Sequence, residues 1–326
     1  MAELRGWLLD LYADESADEA DGLVFWLLAE DGRRLRLTQQ FPHTFYAHGP
    51  FPRLRAQWRF LQQQPIGVQL ARTVREDLFA GPLDVLAVTV ANPALQPRLF
   101  RQVTRCFPDL TYYDADIPLG LRYAAVFDVF PLCHCEVEVA DDGCIQHILP
   151  LESRWDVAPS QPPLRLLTIE PDEDPAHREP TFLWVDDGRS RRQVPLQPLH
   201  LLLVSLNATV KRVAPDVILT RFGDTWLLPL LLKTARELGA EWFNLNRDEN
   251  RSVVHRQENS YFTYGQVVYR GQQVHLYGRF HIDQCNAMMY GEYGLHGAFE
   301  QARVTGLPVQ EIARKSPGSG VTALQM

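Results

Sequence analysis

Three acidic side chains follow predicted β-strands, at positions where carboxylates often bind a divalent metal. Glu170 ends the apolar stretch LRLLTIE, Asp224 follows the strand DVIL, and Asp283 follows GRFHI. Carboxylates that converge from neighbouring strand ends chelate Mg²⁺ and support phosphodiester chemistry. Asp is also a common helix N-cap and turn residue, and spacing alone favours that second interpretation.

A second group of potential metal ligands lies in the stretch LCHCEVEVADDGCIQH. Its members are Cys133, His134, Cys135, Cys144 and His147. One residue separates the first two cysteines, whereas the usual zinc patterns have about two to four. The alternation along 133–139 instead predicts a strand with Cys133, Cys135 and Val137 on one face. The sequence therefore favours a strand over a zinc site.

Composition and motifs exclude several classes of protein. No Gly-rich phosphate loop and no G-x-S-x-G nucleophile motif is present. No stretch of eighteen apolar residues and no signal-peptide layout is found, so the sequence predicts no membrane span. Five cysteines in 326 residues fit a reducing, cytoplasmic setting.

Charge limits the mode of nucleic-acid binding. A formal net charge of −8 argues against non-specific coating of nucleic acid but allows a local basic groove. Of the 32 cationic residues, 29 are Arg, which suits contacts to phosphates. The run GRSRRQ (188–193) is interpreted as a solvated loop.

Hydrophobic periodicity predicts two mixed units joined by connecting segments. A compact α+β unit is expected over the first 110 residues or so, and a second αβ pattern begins after the Pro-rich linker 153–165. The predicted strands are 7–12, 23–28, 33–37, 83–92, 164–169, 181–186 and 216–219, with a hairpin around VVYRGQQVHL. The predicted helices are 52–64, a helix after Pro93, a short helix after Pro118, 196–213, 227–239 and a region from 283 onward.

Five stretches in order resemble the family B DNA polymerases, in their N-terminal and 3′→5′ exonuclease domains. YYDADIPLGLRYAAVF resembles the segment that leads into the exonuclease domain, and LRLLTIE lies where the first exonuclease motif belongs. PDVILTRFGDTWLLPLL resembles the second motif, GRFHIDQC a later strand, and GLPVQEIARKSPGSGVTALQM the crossover to the palm. Each motif is weak alone, but their order extends over nearly the whole chain.

The resemblance implies a fold and a division into domains. An N-terminal α+β domain is expected over 1–112 and a connecting segment over 113–160. An α/β RNase H-like, exonuclease-like domain is expected over 161–305, followed by a crossover over 306–326. The family's palm and fingers would come after this crossover, so we expect them on a separate polypeptide or on a removed part of a longer one.

The departures from the family motifs concern the metal-binding acids. Thr168 replaces the Asp of the first motif, of which only Glu170 remains. In the second motif Leu227 stands at the metal-binding Asp, while Asp224 matches a turn position. The third motif, Y-x-x-x-D, has no match. Two-metal cleavage needs several carboxylates around two ions, so we expect an inactivated exonuclease without a metal cofactor.

A non-catalytic front half would retain its shape and its DNA-binding surface. The expected partners are DNA, as primer-template or single strand in replication or repair, and a palm and fingers polypeptide. Side chains that would stack on bases or meet phosphates are Phe45, Tyr46, Arg221, Phe222, Trp226, Arg314 and Lys315. For the aromatic residues burial in the core is the stronger expectation, and Arg221 is the one expected to be exposed.

Two other interpretations stay open from the sequence. Glu170, Asp172, Asp224 and Asp283 would form a rearranged acidic site for a slow Mg²⁺-dependent 3′→5′ exonuclease, with Asp172 or Asp174 replacing the missing acid. Such a site requires ligands that are held rigidly, and acids in a Pro-flanked loop are poorly fixed. The third interpretation is a protein-interaction module, which the negative net charge would suit.

Overall fold

A computed structural model describes residues 2–15, 22–263, 266–288 and 290–315. The first part of the chain forms β1 (Ala2–Ala13), β2 (Leu23–Ala29), β3 (Arg34–Gln39), β4 (His43–His48), α1 (Phe51–Gln62), β5 (Val68–Asp77), β6 (Gly81–Val90), α2 (Gln96–Cys106), β7 (Thr111–Tyr113), α3 (Leu119–Phe127), β8 (His134–Val139) and β9 (Ile145–Pro150). The second part forms β10 (Leu166–Pro171), β11 (Phe182–Asp186), β12 (Arg191–Pro195), α4 (Leu199–Val213), β13 (Val217–Thr220), α5 (Leu228–Glu237), β14 (Val254–Arg256), β15 (Asn259–Thr263), β16 (Gln266–Arg270), β17 (Gln273–His275), β18 (Phe280–Asp283), α6 (Tyr290–Thr305) and α7 (Val309–Ile312).

The first sheet is antiparallel, with the strand order β3-β2-β1-β8-β9. Every residue of β2 is buried, because both faces of this central strand are covered. Phe25 and Leu27 pack on one side against Cys135 of β8. Trp26 and Leu28 pack on the other side in a core shared with the second part of the chain. The strands predicted in this region are confirmed.

The segment 113–160 differs from the expected connector. Its strands β8 and β9 complete the first sheet, with Gly6 of β1 opposite Cys135. The alternating apolar residues of β8 bury one face of that strand, and the edge of β1 supplies the pairing partner. The first sheet therefore includes strands from beyond residue 112.

The cysteine and histidine side chains weighed as zinc ligands belong to no group arranged to hold a metal ion among the described residues. Cys133 and Cys135 are fully buried in the core. His134 stacks on the Trp7 ring at 4.7 Å, and its Nε2 lies 3.0 Å from a carboxylate oxygen of Glu30. Cys144 is half-buried in the turn between β8 and β9. Packing and stacking thus account for these side chains.

The second sheet has the strand order β5-β6-β4-β7 and carries α1 and α2 on one face. The strand–helix–strand–strand–helix–strand order is that of a split βαβ unit. The stretch 41–52, for which no strand was predicted, contains β4, in which alternate residues are buried. β5 was not predicted, because its residues are mostly exposed and lack the apolar alternation of a half-buried strand.

The third sheet is mixed, with the strand order β12-β11-β10-β13-β18. β10, β13 and β18 are parallel, whereas β11 and β12 run antiparallel to their neighbours. Residues 156–165, in the expected linker, form no helix or strand. α4 and α5 pack on one face of the sheet, and the other face shares a core with the first sheet. The carboxyl ends of the parallel strands meet at one edge, where Thr220 pairs with Asp283.

The remaining elements cover the mixed sheet. β14 pairs with β17 and β15 with β16, so the two strands within VVYRGQQVHL do not pair with each other and the hairpin predicted there is wrong. α6 and α7 contribute to the core shared by the first and third sheets. Within the described ranges, no helix has both the length and the apolar character needed to cross a membrane.

A buried ion pair ties the first sheet to the mixed sheet. Asp216, just before β13, is fully buried and lies 2.6 Å from Arg34 of β3 and 2.9 Å from Arg247. Its pKa is lowered although burial would raise it, because hydrogen bonds and the two guanidinium charges outweigh the loss of solvation. The contact fixes the position of β13 and of the turn that follows it.

Candidate functional site at the turn after β13

The turn after β13 is set by a buried strand and a tightly packed glycine. All four residues of β13 are buried. Phe222 then adopts a left-handed conformation with φ +58°, and a π-helical turn, Gly223–Leu227, leads into α5. A Cβ on Gly223 would lie 1.9 Å from Thr220 Oγ1 and 2.7 Å from His281 Nε2. Only glycine fits here, so the backbone of the turn is packed directly against β13 and β18.

Asp224 lies inside this turn and is fully buried. Its carboxylate accepts hydrogen bonds from Arg314 Nε at 2.7 Å and Nη2 at 3.0 Å. It also accepts from Asn286 Nδ2 at 2.8 Å and from the Val274 amide at 2.7 Å. Both oxygens are thereby occupied, and the arrangement is a bidentate arginine–carboxylate pair.

Protonation states follow from burial and from the charge of Arg314. Burial alone would raise the pKa of Asp224, but the neighbouring positive charge and the hydrogen bonds lower it. Burial lowers the pKa of His281 to about 4, so its imidazole is neutral at neutral pH. In the matching tautomer, His281 Nδ1 donates to Val274 O at 2.9 Å and Nε2 accepts from Thr220 Oγ1 at 3.0 Å. Asp224 is therefore a structural anion with a dedicated cation.

The other three acids of the rearranged metal site have separate partners. Asp283 is buried and accepts from the Asp224 amide at 2.9 Å. Glu170 accepts from Gln284 Nε2 at 3.1 Å and lies 3.9 Å from Arg191. Asp172 accepts from the amide and the hydroxyl of Thr181 at 3.0 and 2.6 Å. Among the described residues, no group of three or more His, Cys, Asp or Glu side chains is arranged to hold a metal ion.

Residues at the expected acid positions belong to the mixed sheet and its core. Leu227 has no exposed surface and packs with Leu167, Ile218 and Leu231 beneath α4 and α5. Thr168 is half-buried in β10, opposite Leu219 of β13. Hydrophobic packing thus accounts for Leu227.

The candidate DNA-binding aromatics of β4 fall into two environments. Phe45 is fully buried and stacks edge-on against Phe100 at 5.3 Å, so it has no free face for a base. Tyr46 points to the opposite face of the sheet and is half-buried. The guanidinium of Arg75 lies over its ring at 4.7 Å. Phe45 is therefore a core residue, and the stacking role assigned to it does not agree with its position.

The candidate DNA-binding residues at the turn and in the crossover also differ in their exposure. Arg221 is exposed, as expected, and lies 5.6 Å from the ring centre of half-buried Phe222. Trp226 is half-buried against the core beneath α4 and α5. Arg314 is buried in its pair with Asp224, so it does not provide the free phosphate contact proposed for it. Lys315 is half-buried, with Nζ 2.6 Å from Glu311, and residues 316–326 of the expected crossover lie outside the described residues.

One arginine that sequence reasoning assigned to a solvated loop belongs to β12. Arg191 lies over the Trp184 ring at 4.5 Å, beside Glu170. Consecutive polar residues without apolar alternation gave β12 no strand signal. The sequence does contain one indication of this contact, because Trp184 lies in the strand before the basic run 188–193.

The fold and the turn together define the class of protein that this chain resembles. No family model matches the chain, and no curated protein matches its sequence. In structure it is similar to a family B DNA polymerase, consistent with the front half of that architecture. One such solved structure is the family B DNA polymerase from the hyperthermophilic archaeon Pyrobaculum calidifontis, with a TM-score of 0.68 and 19% identity. The match covers 98% of this chain and 50% of the polymerase chain.

Proposed function

We propose that this chain is a non-catalytic front half of a family B-type DNA polymerase architecture. It binds primer-template or single-stranded DNA and scaffolds a palm and fingers unit that is carried elsewhere. Under this proposal the mixed sheet is an RNase H-like, exonuclease-like unit that has lost its chemistry. The structural likeness to half of a polymerase chain supports this assignment of fold.

The observation that carries the proposal is the saturated carboxylate of Asp224. A Mg²⁺ ion needs free oxygen ligands, whereas both oxygens of Asp224 already accept hydrogen bonds from Arg314 and other donors. Leu227 is buried at the expected metal position. Binding is the role that this edge of the sheet retains.

DNA binding is supported by two cationic side chains near the carboxyl ends of the parallel strands. Arg221 is exposed beside Phe222, and Arg191 is exposed over Trp184. Arginine beside an aromatic ring suits phosphates and stacked bases together. Arginine side chains beside aromatic rings would bind a DNA strand without cleaving it.

Scaffolding is supported by exposed apolar side chains at the end of β9 and in the segment that follows it. They are Leu149, Leu151, Trp155 and Val157, with exposed fractions of 65% and 101% for the last two. Exposed apolar groups in such a short stretch indicate a surface that another domain covers. A palm domain is the occupant that the fold suggests.

The test uses end-labelled DNA with a recessed 3′ end, incubated with Mg²⁺ or Mn²⁺ over a series of salt concentrations. We expect binding that weakens with salt and no digestion by the wild type. Arg221→Ala with Arg191→Ala should weaken binding and reduce its dependence on salt. A control with matched charge is Arg33→Ala with Arg53→Ala, at exposed positions where these arginines pair with Asp31 and Asp109.

Digestion distinguishes the exonuclease alternative. Activity that Glu170→Gln abolishes would mean that the acids reassemble around metal, and the non-catalytic proposal would be wrong. Equal DNA affinity of the Arg221/Arg191 variant and the control variant would show that the edge of the mixed sheet is not part of the DNA interface. Failure to bind any DNA, together with no co-purifying polymerase-like partner, would contradict the proposal as a whole.

A further inference from the structure

A cavity of about 630 Å³ lies on the helix-bearing face of the second sheet, far in sequence from the turn after β13. We call it the α1 cleft. One wall is α1 and the other is the β5–β6 hairpin, and its lining residues are His48, Gly49, Phe51, Leu54, Arg55, Trp58, Arg59, Gln62, Arg72, Asp84, Val85 and Leu86. Its volume is in the usual range for small-molecule sites, about 300–1,000 Å³.

The α1 wall of the cleft is aromatic and apolar. Phe51, Leu54 and Trp58 follow one another at helical spacing along α1 and line the cleft. Phe51 is 57% exposed, and Trp58 is only partly buried against the core of this unit. Two accessible ring systems on one wall provide a surface for a planar ligand.

The rim of the α1 cleft is cationic. Arg55 and Arg59 lie one turn apart on α1, and Arg72 approaches from β5 with its guanidinium 5.2 Å from the Phe51 ring centre. Within the described ranges, none of these three makes an ion pair with a carboxylate at 4 Å or less. Asp84 is the one acidic residue of the lining, so the cleft carries an excess of positive charge.

Arg53 on the same helix provides the contrast. Its guanidinium forms a two-point contact with Asp109 of the α2–β7 loop. The chain therefore pairs the arginine that faces its own structure and leaves unpaired the ones that face the cleft. Unpaired arginines around accessible aromatic rings are suited to bind a phosphate next to a stacked base.

We propose that the α1 cleft binds one nucleotide unit of a single strand, with its base against Trp58 or Phe51 and its phosphate at Arg55, Arg59 and Arg72. An apolar peptide fits less well, because it would bury three guanidinium groups without partners. The proposal rests on the proposed function for the choice of ligand and adds a second contact site, distant from Arg221. A free nucleotide carries the same chemistry, so the experiment must separate the two sources.

The experiment measures binding of short fluorescent oligo(dT) by the full chain over a salt series, with dTMP and inorganic phosphate as competitors. Arg55→Gln/Arg59→Gln should lower the affinity for oligo(dT) by at least about tenfold. It should also reduce the slope of log affinity against log salt concentration by about one or more, as expected for the loss of about one phosphate contact or more. The control with matched charge is Arg53→Gln/Arg33→Gln, which should keep both values close to wild type. Trp58→Leu should lower the affinity about tenfold and leave the salt slope unchanged, because it removes stacking but no charge.

Competition identifies the source of the nucleotide. Displacement by oligo(dT) but not by dTMP at the same nucleotide concentration supports a strand, and equal displacement by dTMP would overturn the strand in favour of a free nucleotide. Unchanged affinity and slope in Arg55→Gln/Arg59→Gln would overturn the α1 cleft. If Arg221→Ala/Arg191→Ala then abolished binding, the proposed function would stand without the cleft. No binding by wild type would overturn both.

Discussion

The turn after β13 and the α1 cleft use the same kinds of side chain in opposite ways. In the turn, Arg314 and Asp224 are both buried and satisfy each other. In the cleft, Arg55 and Arg59 face a cavity and have no carboxylate partner among the described residues. A paired charge in the interior belongs to the structure, whereas an unpaired charge beside an accessible ring can serve a ligand. The nature of the partner, rather than the type of residue, separates the two regions.

The largest effect is expected from breaking the pair in the turn. Asp224→Ala leaves the buried guanidinium of Arg314 without its anion and should reduce the free energy of unfolding by about 3–5 kcal/mol. Urea denaturation followed by circular dichroism measures this. Arg314→Met in the same chain should recover part of the loss, since it removes the unpaired charge. A change under about 0.5 kcal/mol for Asp224→Ala would show that the pair does not hold the turn together.

A smaller effect is expected from acid, through His281. The pKa of this buried imidazole is lowered to about 4, below its ordinary value of 6.5. Its contribution to stability is therefore complete above pH 6.5 and is lost as the pH falls toward 4, because the unfolded chain takes up the proton first. Between pH 7 and 5.5 this amounts to about 1 kcal/mol.

Thermal unfolding at a series of pH values measures that slope, with His281→Gln as the comparison. The Gln variant should be less stable at neutral pH but should lose less on acidification than the wild type. Parallel pH profiles for the two proteins would mean that His281 keeps its ordinary pKa. Buried His43, whose pKa is also lowered to about 4, gives both proteins a shared background slope.

The smallest effect on stability is expected in the cleft. Arg55→Gln/Arg59→Gln should change the free energy of unfolding by less than about 0.5 kcal/mol, because these side chains are exposed and have no ion pair to lose. Urea denaturation under the same conditions as for Asp224→Ala measures it. A loss above about 1.5 kcal/mol would place the arginines with the structural pairs and remove the contrast between the two regions.

Local patterns were enough to predict the strands of the first sheet and much of the mixed sheet. β2 is apolar throughout, and the helices α1, α4 and α5 have the expected helical spacing. β5 and β12 were missed because exposed strands carry polar residues and no alternation. The strand along 133–139 was predicted, but its pairing with β1 was not, because that pairing joins residues more than a hundred positions apart.

The candidate site was less predictable for the same reason. Burial of Leu227 agrees with the apolar run in which it lies, and the exposure of Arg221 follows from its place at a strand end. The partner of Asp224 is 90 residues away in the chain, and no local pattern connects the two. The cleft had a local sign, two arginines one turn apart with Trp58 nearly between them, but the periodicity of α1 alone indicated only a core-facing helix.

The buried turn also limits how the chain could change. A carboxylate introduced at Leu227 would enter a sealed apolar core without a cation, while Asp224 of the same turn is already held by Arg314. A metal centre at this turn would therefore require several substitutions together, each unfavourable on its own. Variation that alters what this chain binds has an easier route through its exposed arginines than through the turn.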